Sequence, residues 1–122
     1  MRVSPGFRAF VLDQLSEVAG LRDRAMFGGI GLYAGDVFFG IIAADTLYFK
    51  VDESTRAAYE SAGSRPFKPY ADRAMIMPYY AVPAAILDHP ATAVPWAVAA
   101  VRVAKAAKGS SRPAKAATRR RV

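Results

Sequence analysis

The stretch Ile30–Val51, IGLYAGDVFFGIIAADTLYFKV, holds three β-rich runs: Ile30–Ala34, Val37–Ala43 and Thr46–Val51. The dipeptides Gly35-Asp36 and Ala44-Asp45 separate them. Separations this short are hairpin connections, so the runs predict an antiparallel meander. Strict alternation sets Val37, Phe39 and Ile41 on one face of the second run, with Phe38 and Ile42 on the other. In the third run Leu47, Phe49 and Val51 share a face, and Tyr48 and Lys50 its reverse. A sheet with one solvated face alternates cleanly between apolar and polar residues, and these strands do not. The face carrying Phe38, Ile42 and Tyr48 is therefore expected to be covered, and a second copy of the chain, in a symmetric homodimer, is the expected cover.

Outward from the meander the signals are helical. Ser4 before Pro5 is a helix start, and Phe7, Phe10, Val11, Gln14, Leu15 and Val18 follow with helical spacing to a stop at Gly20. Leu21–Gly29 reads as extended or looped. Asp52 is placed to cap a second helix, ESTRAAYESA, that ends at Gly63. Arg65–Tyr70 and Arg73–Tyr80 read as extended, with Pro66 and Pro69 restricting the first to an edge or a loop. Pro83 opens a short helical turn, Ala84–Leu87. A longer helix runs from about Thr92 to Ala107, with Pro95 tolerated in its first turn. Beyond Gly109 the sequence SSRPAKAATRRRV lacks the aliphatic residues for a core and is expected to be disordered. The expectation is an α+β domain over residues 1–108 followed by a tail, 109–122. The domain has two layers, with helices on an antiparallel sheet of about five strands in the order α-β-β-β-α-β-β-α.

Composition removes chemistries rather than naming one. Of 122 residues 53% are hydrophobic, enough for a core. There is no cysteine, and His89 is the single histidine. Disulfide frameworks, thiol nucleophiles and two-histidine metal sites are thereby excluded, and no metal or cofactor is expected. The formal net charge of +7 is unevenly placed. Residues 1–104 hold as many acids as bases. The whole excess lies in Lys105, Lys108, Arg112, Lys115, Arg119, Arg120 and Arg121, with no acid among them. Residues 1–104 are neutral and the last eighteen residues are basic, so weak, sequence-independent nucleic-acid contact is expected of this basic end alone. A solvated, solubilising tail is the competing expectation. The longest largely apolar uncharged run, His89–Val101, is too short for the roughly 20 residues of a membrane helix. The N-terminal segment has no uninterrupted apolar stretch of the signal-peptide kind. A cytoplasmic protein without membrane contact is the expectation.

Few residues invite catalysis. Gly29-x-Gly31-x-x-Ala34 fits the loose dinucleotide fingerprint, but that motif works by opening a helix onto a pyrophosphate, and here a strand follows. The glycines are read instead as permitting a tight turn and a strand bulge. His89 could titrate near neutrality as an acid or base; with no Ser or Cys beside it, it is read as a capping or solvent residue. Arg65–Tyr70 interleaves cations with aromatics, as nucleic-acid grooves do and as protected edge strands do; the edge strand is preferred. The alternative to a binding module is a small enzyme, or a ligand-binding protein, acting on an anion near Arg24 and Lys50.

The string Arg24-Ala-Met-Phe-Gly-Gly29, with Gly31 and Tyr33, carries a family resemblance. Phe39-Gly40, Leu47-Tyr-Phe-Lys50, Asp52, Gly63, Phe67, Tyr79-Tyr80, Val82-Pro83 and Trp96 extend it over roughly residues 5–108. The pattern resembles the N-terminal domain of the TfoX/Sxy family, named for bacterial regulators of competence for DNA uptake. The resemblance implies a secretion-chaperone-like α-β(3)-α-β(2)-α domain, often dimeric. It also implies a non-enzymatic role beside the transcription machinery, with a protein partner there and no catalytic residue or cofactor. Full-length family regulators carry a second, helical domain where this sequence has its basic tail. Arg24, Met26, Phe27, Gly28, Gly29, Tyr48 and Lys50 match the family signature and are expected to form a structural or partner-contact surface.

Overall fold

The computed structural model describes residues 3–26, 28–67 and 78–110, the last three of these by backbone alone. Helix α1 (Pro5–Gln14) starts where Ser4 Oγ accepts from the Phe7 N–H (3.2 Å). Four strands follow: β1 (Leu21–Met26), β2 (Gly29–Ala34), β3 (Val37–Ala43) and β4 (Thr46–Lys50). Helix α2 (Glu53–Ser61) opens on a capping box. The Asp52 carboxylate accepts from the N–H groups of Ser54 (2.9 Å) and Thr55 (3.1 Å), and the Asp52 N–H donates back to Thr55 Oγ1. The Ser54 hydroxyl, first among these donors, holds the Asp52 carboxyl below its ordinary pKa. Strand β5 (Tyr79–Ala81), α3 (Ala84–Leu87) and α4 (Pro90–Ser110) complete the described chain. The sheet is antiparallel throughout, in the order β1-β2-β3-β4-β5. No described helix is long and apolar enough to cross a membrane.

The α+β class and the five strands are as expected, but the strands are distributed differently. Among the described residues four precede α2 and one follows it. Leu21–Met26 pairs along its whole length with β2, whereas Arg65–Phe67 meets β5 in a bridge, Pro66 to Tyr80, where the missing proline N–H would point away from β5 and so is tolerated. Of Arg73–Tyr80, the residues before Pro78 lie outside the described ones, as do Lys68–Tyr70. Helix α1 ends earlier than its periodicity predicts. Gly20, at φ +72°, serves the turn into β1 rather than a helix cap, and its carbonyl accepts from the Gly35 N–H (2.8 Å).

Strict alternation also fails at one place in β3. The pairing of β2 with β3 shifts between Leu32 and Tyr33, leaving Phe39 as the extra residue of a β-bulge. Beyond it every side chain changes face. Ile42 joins Phe39 and Leu32 in the main core, while Ile41 turns to the other side with Phe38. Ile42 is thus fully buried under the helices, and Phe38, Ile41 and Tyr48 are the residues of the second face.

The helix layer covers the first face. Ala93, Ala97, Ala100 and Ala104 recur along one side of α4, and their small side chains let it lie close on β3 and β4 over Phe39 and Phe49. Val11 and Leu15 pack from the first helix and the turn after it. The buried Gln14 donates from Nε2 to Leu87 O (2.9 Å), which fastens α1 to α3 and satisfies both groups. Tyr59 anchors α2 against Trp96 (ring centroids 4.7 Å apart) and Tyr80 (6.1 Å). Tyr80 Oη donates to Glu60 Oε2 (2.9 Å), and this bond, with burial, raises the Tyr80 hydroxyl above its ordinary pKa.

Candidate functional site

The second sheet face gathers the residues that can do more than fill a core. A row of side chains crosses it: Arg22 lies over the Tyr33 ring (5.8 Å to the centroid), and Tyr33 lies 5.2 Å from Phe38. Phe38 is 5.8 Å from Tyr79, and Lys50 Nζ stands 5.2 Å above the Tyr79 ring. Two cations thus cap a chain of three aromatics, each held against a ring face where the quadrupole is negative. The Tyr48 ring meets that of Phe67 at a tilt, centroids 4.9 Å apart, and the Phe67 N–H donates to Tyr79 O (2.7 Å). Burial, and then the neighbouring Tyr33, push the Tyr79 hydroxyl up to a pKa of about 12.

Glycines shape this face. A Cβ on Gly31 would stand 2.7 Å from Met26 Cε and 3.0 Å from Phe38 Cε1, so Met26 and Phe38 close over this bare position and the methionine end would have to move for a larger residue. At the neighbouring turn Gly28 has φ +80°, a conformation side chains resist. A Cβ on Gly29 would meet Ile42 O at 2.7 Å. The glycines of the fingerprint-like Gly29-x-Gly31-x-x-Ala34 segment therefore lie in strand β2, where they admit close neighbours; the bulge lies across from them in β3, and no helix opens onto them.

The expected surface residues come together in part. Arg24 and Met26 project with Arg22 from β1, at positions that alternate with Asp23, which pairs with Arg8 of α1. Tyr48 and Lys50 belong to the same face on β4. Gly28 lies in the turn that joins β1 to β2, Gly29 opens β2 opposite Met26, and Phe27 lies outside the described residues. Of the tail cations, Lys105 is an exposed residue of α4 and Lys108 belongs to its last turn; Arg112, Lys115, Arg119, Arg120 and Arg121 lie outside the described residues. Arg22 and the coupling of Tyr33, Phe38 and Tyr79 were not anticipated as a unit. Arg22, two residues before Arg24, falls on the same face of an extended strand; the remaining contacts join strands distant in sequence and leave no local signal.

Arg24 and Lys50 do not converge on one cavity. They lie on β1 and β4, three strand spacings or about 14 Å apart across the sheet. His89 is exposed at the start of α4, its carbonyl accepting from Thr92 and Ala93. Among the described residues no group of acids and histidine could hold a metal ion. A separate groove of about 270 Å³ runs between α2 and α4, lined by Tyr59, Trp96 and Pro95 with Lys50, Ser54 and Thr55 at one end.

The chain is a two-layer α+β domain whose sheet turns one face to its helices and displays cations and aromatics on the other. The profile of the TfoX N-terminal domain matches residues 13–104, and the chain belongs to that family. No curated protein matches it.

Proposed function

We propose that this protein is a non-enzymatic regulatory or adaptor module of the TfoX type, acting in the cytoplasm beside the transcription machinery and assembling as a homodimer through its second sheet face. The row from Arg22 through Tyr33, Phe38 and Tyr79 to Lys50 carries the reading: it lays recognition chemistry along a surface instead of gathering it in a cleft. Half-buried Phe38, Ile41 and Tyr48 supply the apolar part of that surface. Lack of cysteine suits a reducing compartment.

In this proposal the basic tail adds weak affinity for nucleic acid without reading its sequence. The tail's cations pair with phosphates and reach no base edges. Light scattering at high micromolar concentration tests the dimer, and a monomer there sinks it. Truncation after Ser110 removes Arg112, Lys115 and Arg119–Arg121. It should leave the melting temperature unchanged and abolish most DNA binding, whose log–log salt slope in the full chain should be about −3 to −5. Undiminished binding by the truncated chain would assign the contact to the neutral domain.

The groove between α2 and α4 favours a second reading, a small anionic ligand with an apolar body held near Lys50, Ser54, Tyr59 and Trp96. A melting temperature raised by such a compound and insensitive to it in Trp96→Ala would support that reading over the adaptor.

A further inference from the structure

The two edges of the sheet are finished differently. Beside β5, Arg65–Phe67 closes the edge: the Ala81 N–H donates to Arg65 O (3.0 Å) and the Phe67 N–H to Tyr79 O, with Pro66 between. At the other end of the sheet β1 pairs with β2 alone, and among the described residues nothing is paired along its outer side. The bond from Gly35 N–H to Gly20 O sets the phase of this ladder. Counting by twos, the backbones of Arg22, Arg24 and Met26 turn toward β2, and those of Leu21, Asp23 and Ala25 turn outward. The Leu21 N–H is already given to Val18 O (3.2 Å), which leaves the N–H and C=O of Asp23 and Ala25 for an incoming strand.

Charge at this edge is one-sided. Asp23 is taken by Arg8, whose Nε donates to Oδ2 at 2.7 Å. Arg22 and Arg24 are exposed, share the second face about 7 Å apart, and have no acidic partner among the described residues. Tyr33 supports the Arg22 guanidinium from beneath and limits its freedom.

We infer that β1 is a docking edge for an extended protein segment carrying acidic residues at alternate positions, which adds to the sheet as a sixth strand. Its backbone bonds to Asp23 and Ala25, and its carboxylates lie opposite Arg22 and Arg24, where cross-strand side chains meet. A second copy of this chain is the wrong occupant. Antiparallel pairing joins residues of like phase, so the two registers that pair five residues of β1 with itself set Arg22 against Arg24 or Arg24 against Arg24. The inference gives the adaptor reading a partner class, yet does not depend on the dimer: a monomer by light scattering leaves it standing.

Fluorescence anisotropy of a labelled peptide of alternating valine and glutamate, titrated with the full chain, tests it. The peptide should bind, and its counterpart with lysine for glutamate should not. Arg24→Glu should weaken binding about tenfold, and the lysine peptide should then bind better to that variant than to the parent. Ala25→Pro keeps every charge but removes an outward N–H and crowds the edge, and it should abolish binding. A thermal melt checks that this variant folds; amide exchange at Asp23 and Ala25, slowed by the peptide in the parent protein, reads the same bonds without any substitution. Binding that survives Ala25→Pro in the folded variant, equal affinity for the lysine peptide, or unchanged exchange at both amides would each overturn strand addition. Tighter binding of a thymidine oligonucleotide to the same arginines would assign the edge to nucleic acid instead.

Discussion

The two faces of one sheet are built from the same strands and behave as different materials. Beneath the helices, Leu32, Phe39, Ile42, Leu47 and Phe49 are sealed from water, and the groups around them are aliphatic or aromatic. On the reverse, Phe38, Ile41 and Tyr48 stay half-buried among arginine, lysine and tyrosine. A one-residue step along β3 separates a side chain that holds the fold from one free to meet a partner. On the proposed reading, stability and recognition fall to different residues of the same strands, so that either can change without dismantling the other.

The sharpest way to break this comparison is to truncate neighbours across the sheet. Phe39→Ala empties a fully enclosed site and should cost about 4 kcal/mol in urea unfolding, in the range for a buried phenylalanine. Phe38→Ala removes a half-buried ring and should cost about 1–2 kcal/mol in the isolated chain. Equal costs would mean that the faces do not differ as described. A cost for Phe38→Ala that grows with protein concentration would place a second copy on that face, since mass action adds the lost association to the lost packing.

The turn that feeds both faces offers an intermediate effect. Gly29→Ala drives a Cβ toward the Ile42 carbonyl, a backbone atom of β3 that cannot step aside, and should cost about 2 kcal/mol. Gly28→Ala, strained by its positive φ, should cost about 1 kcal/mol. Both losses should appear in thermal melts without nucleotide. A melting temperature raised by a dinucleotide in the parent and not in Gly29→Ala would overturn the packing role of this glycine.

How far the sequence disclosed these faces depends on what kind of signal each feature leaves. Local signals were legible: Ser4 and Asp52 as caps, Gly35-Asp36 and Ala44-Asp45 as hairpin turns, Ala84–Leu87 as a helical turn. Ala44 and Asp45 both adopt positive φ (51° and 53°), as the tight hairpin demands. Strand β1 was harder to see, because LRDRAM has neither alternating apolar residues nor β-branched ones; it is a strand because β2 offers a ladder. The bulge at Phe39 left no trace in composition, and it alone moved Ile42 to the core and Ile41 out of it. The family signature marks Arg24, Met26, Phe27, Gly28, Gly29, Tyr48 and Lys50 as a surface without saying which of them share a sheet face, and it cannot show that Arg22 and Tyr79 complete the row, since those contacts join strands distant in sequence.

The smallest effect sharpens the comparison by pH. Burial holds the Tyr79 hydroxyl at about 12, above the ordinary tyrosine value near 10, and burial raises Tyr59 on the helix side as well. Below about pH 10 folded and unfolded chains both keep these protons, and the native packing is unaffected. Between pH 10 and 12 the unfolded chain releases its proton from Tyr79 while the folded chain retains it. The folded state then binds more protons, so stability falls as pH rises through that window. Tyr79→Phe keeps the ring beneath Lys50 and removes the titrating group. Its urea midpoint should match the parent at pH 8, and above pH 11 the variant should be more stable than the parent by about 1 kcal/mol, less than the full shift allows because solvent screens part of it. If parent and variant lose stability in parallel up to pH 12, the alkaline sensitivity belongs to the helix side through Tyr59 and Tyr80, and the second face is wetter than its packing indicates.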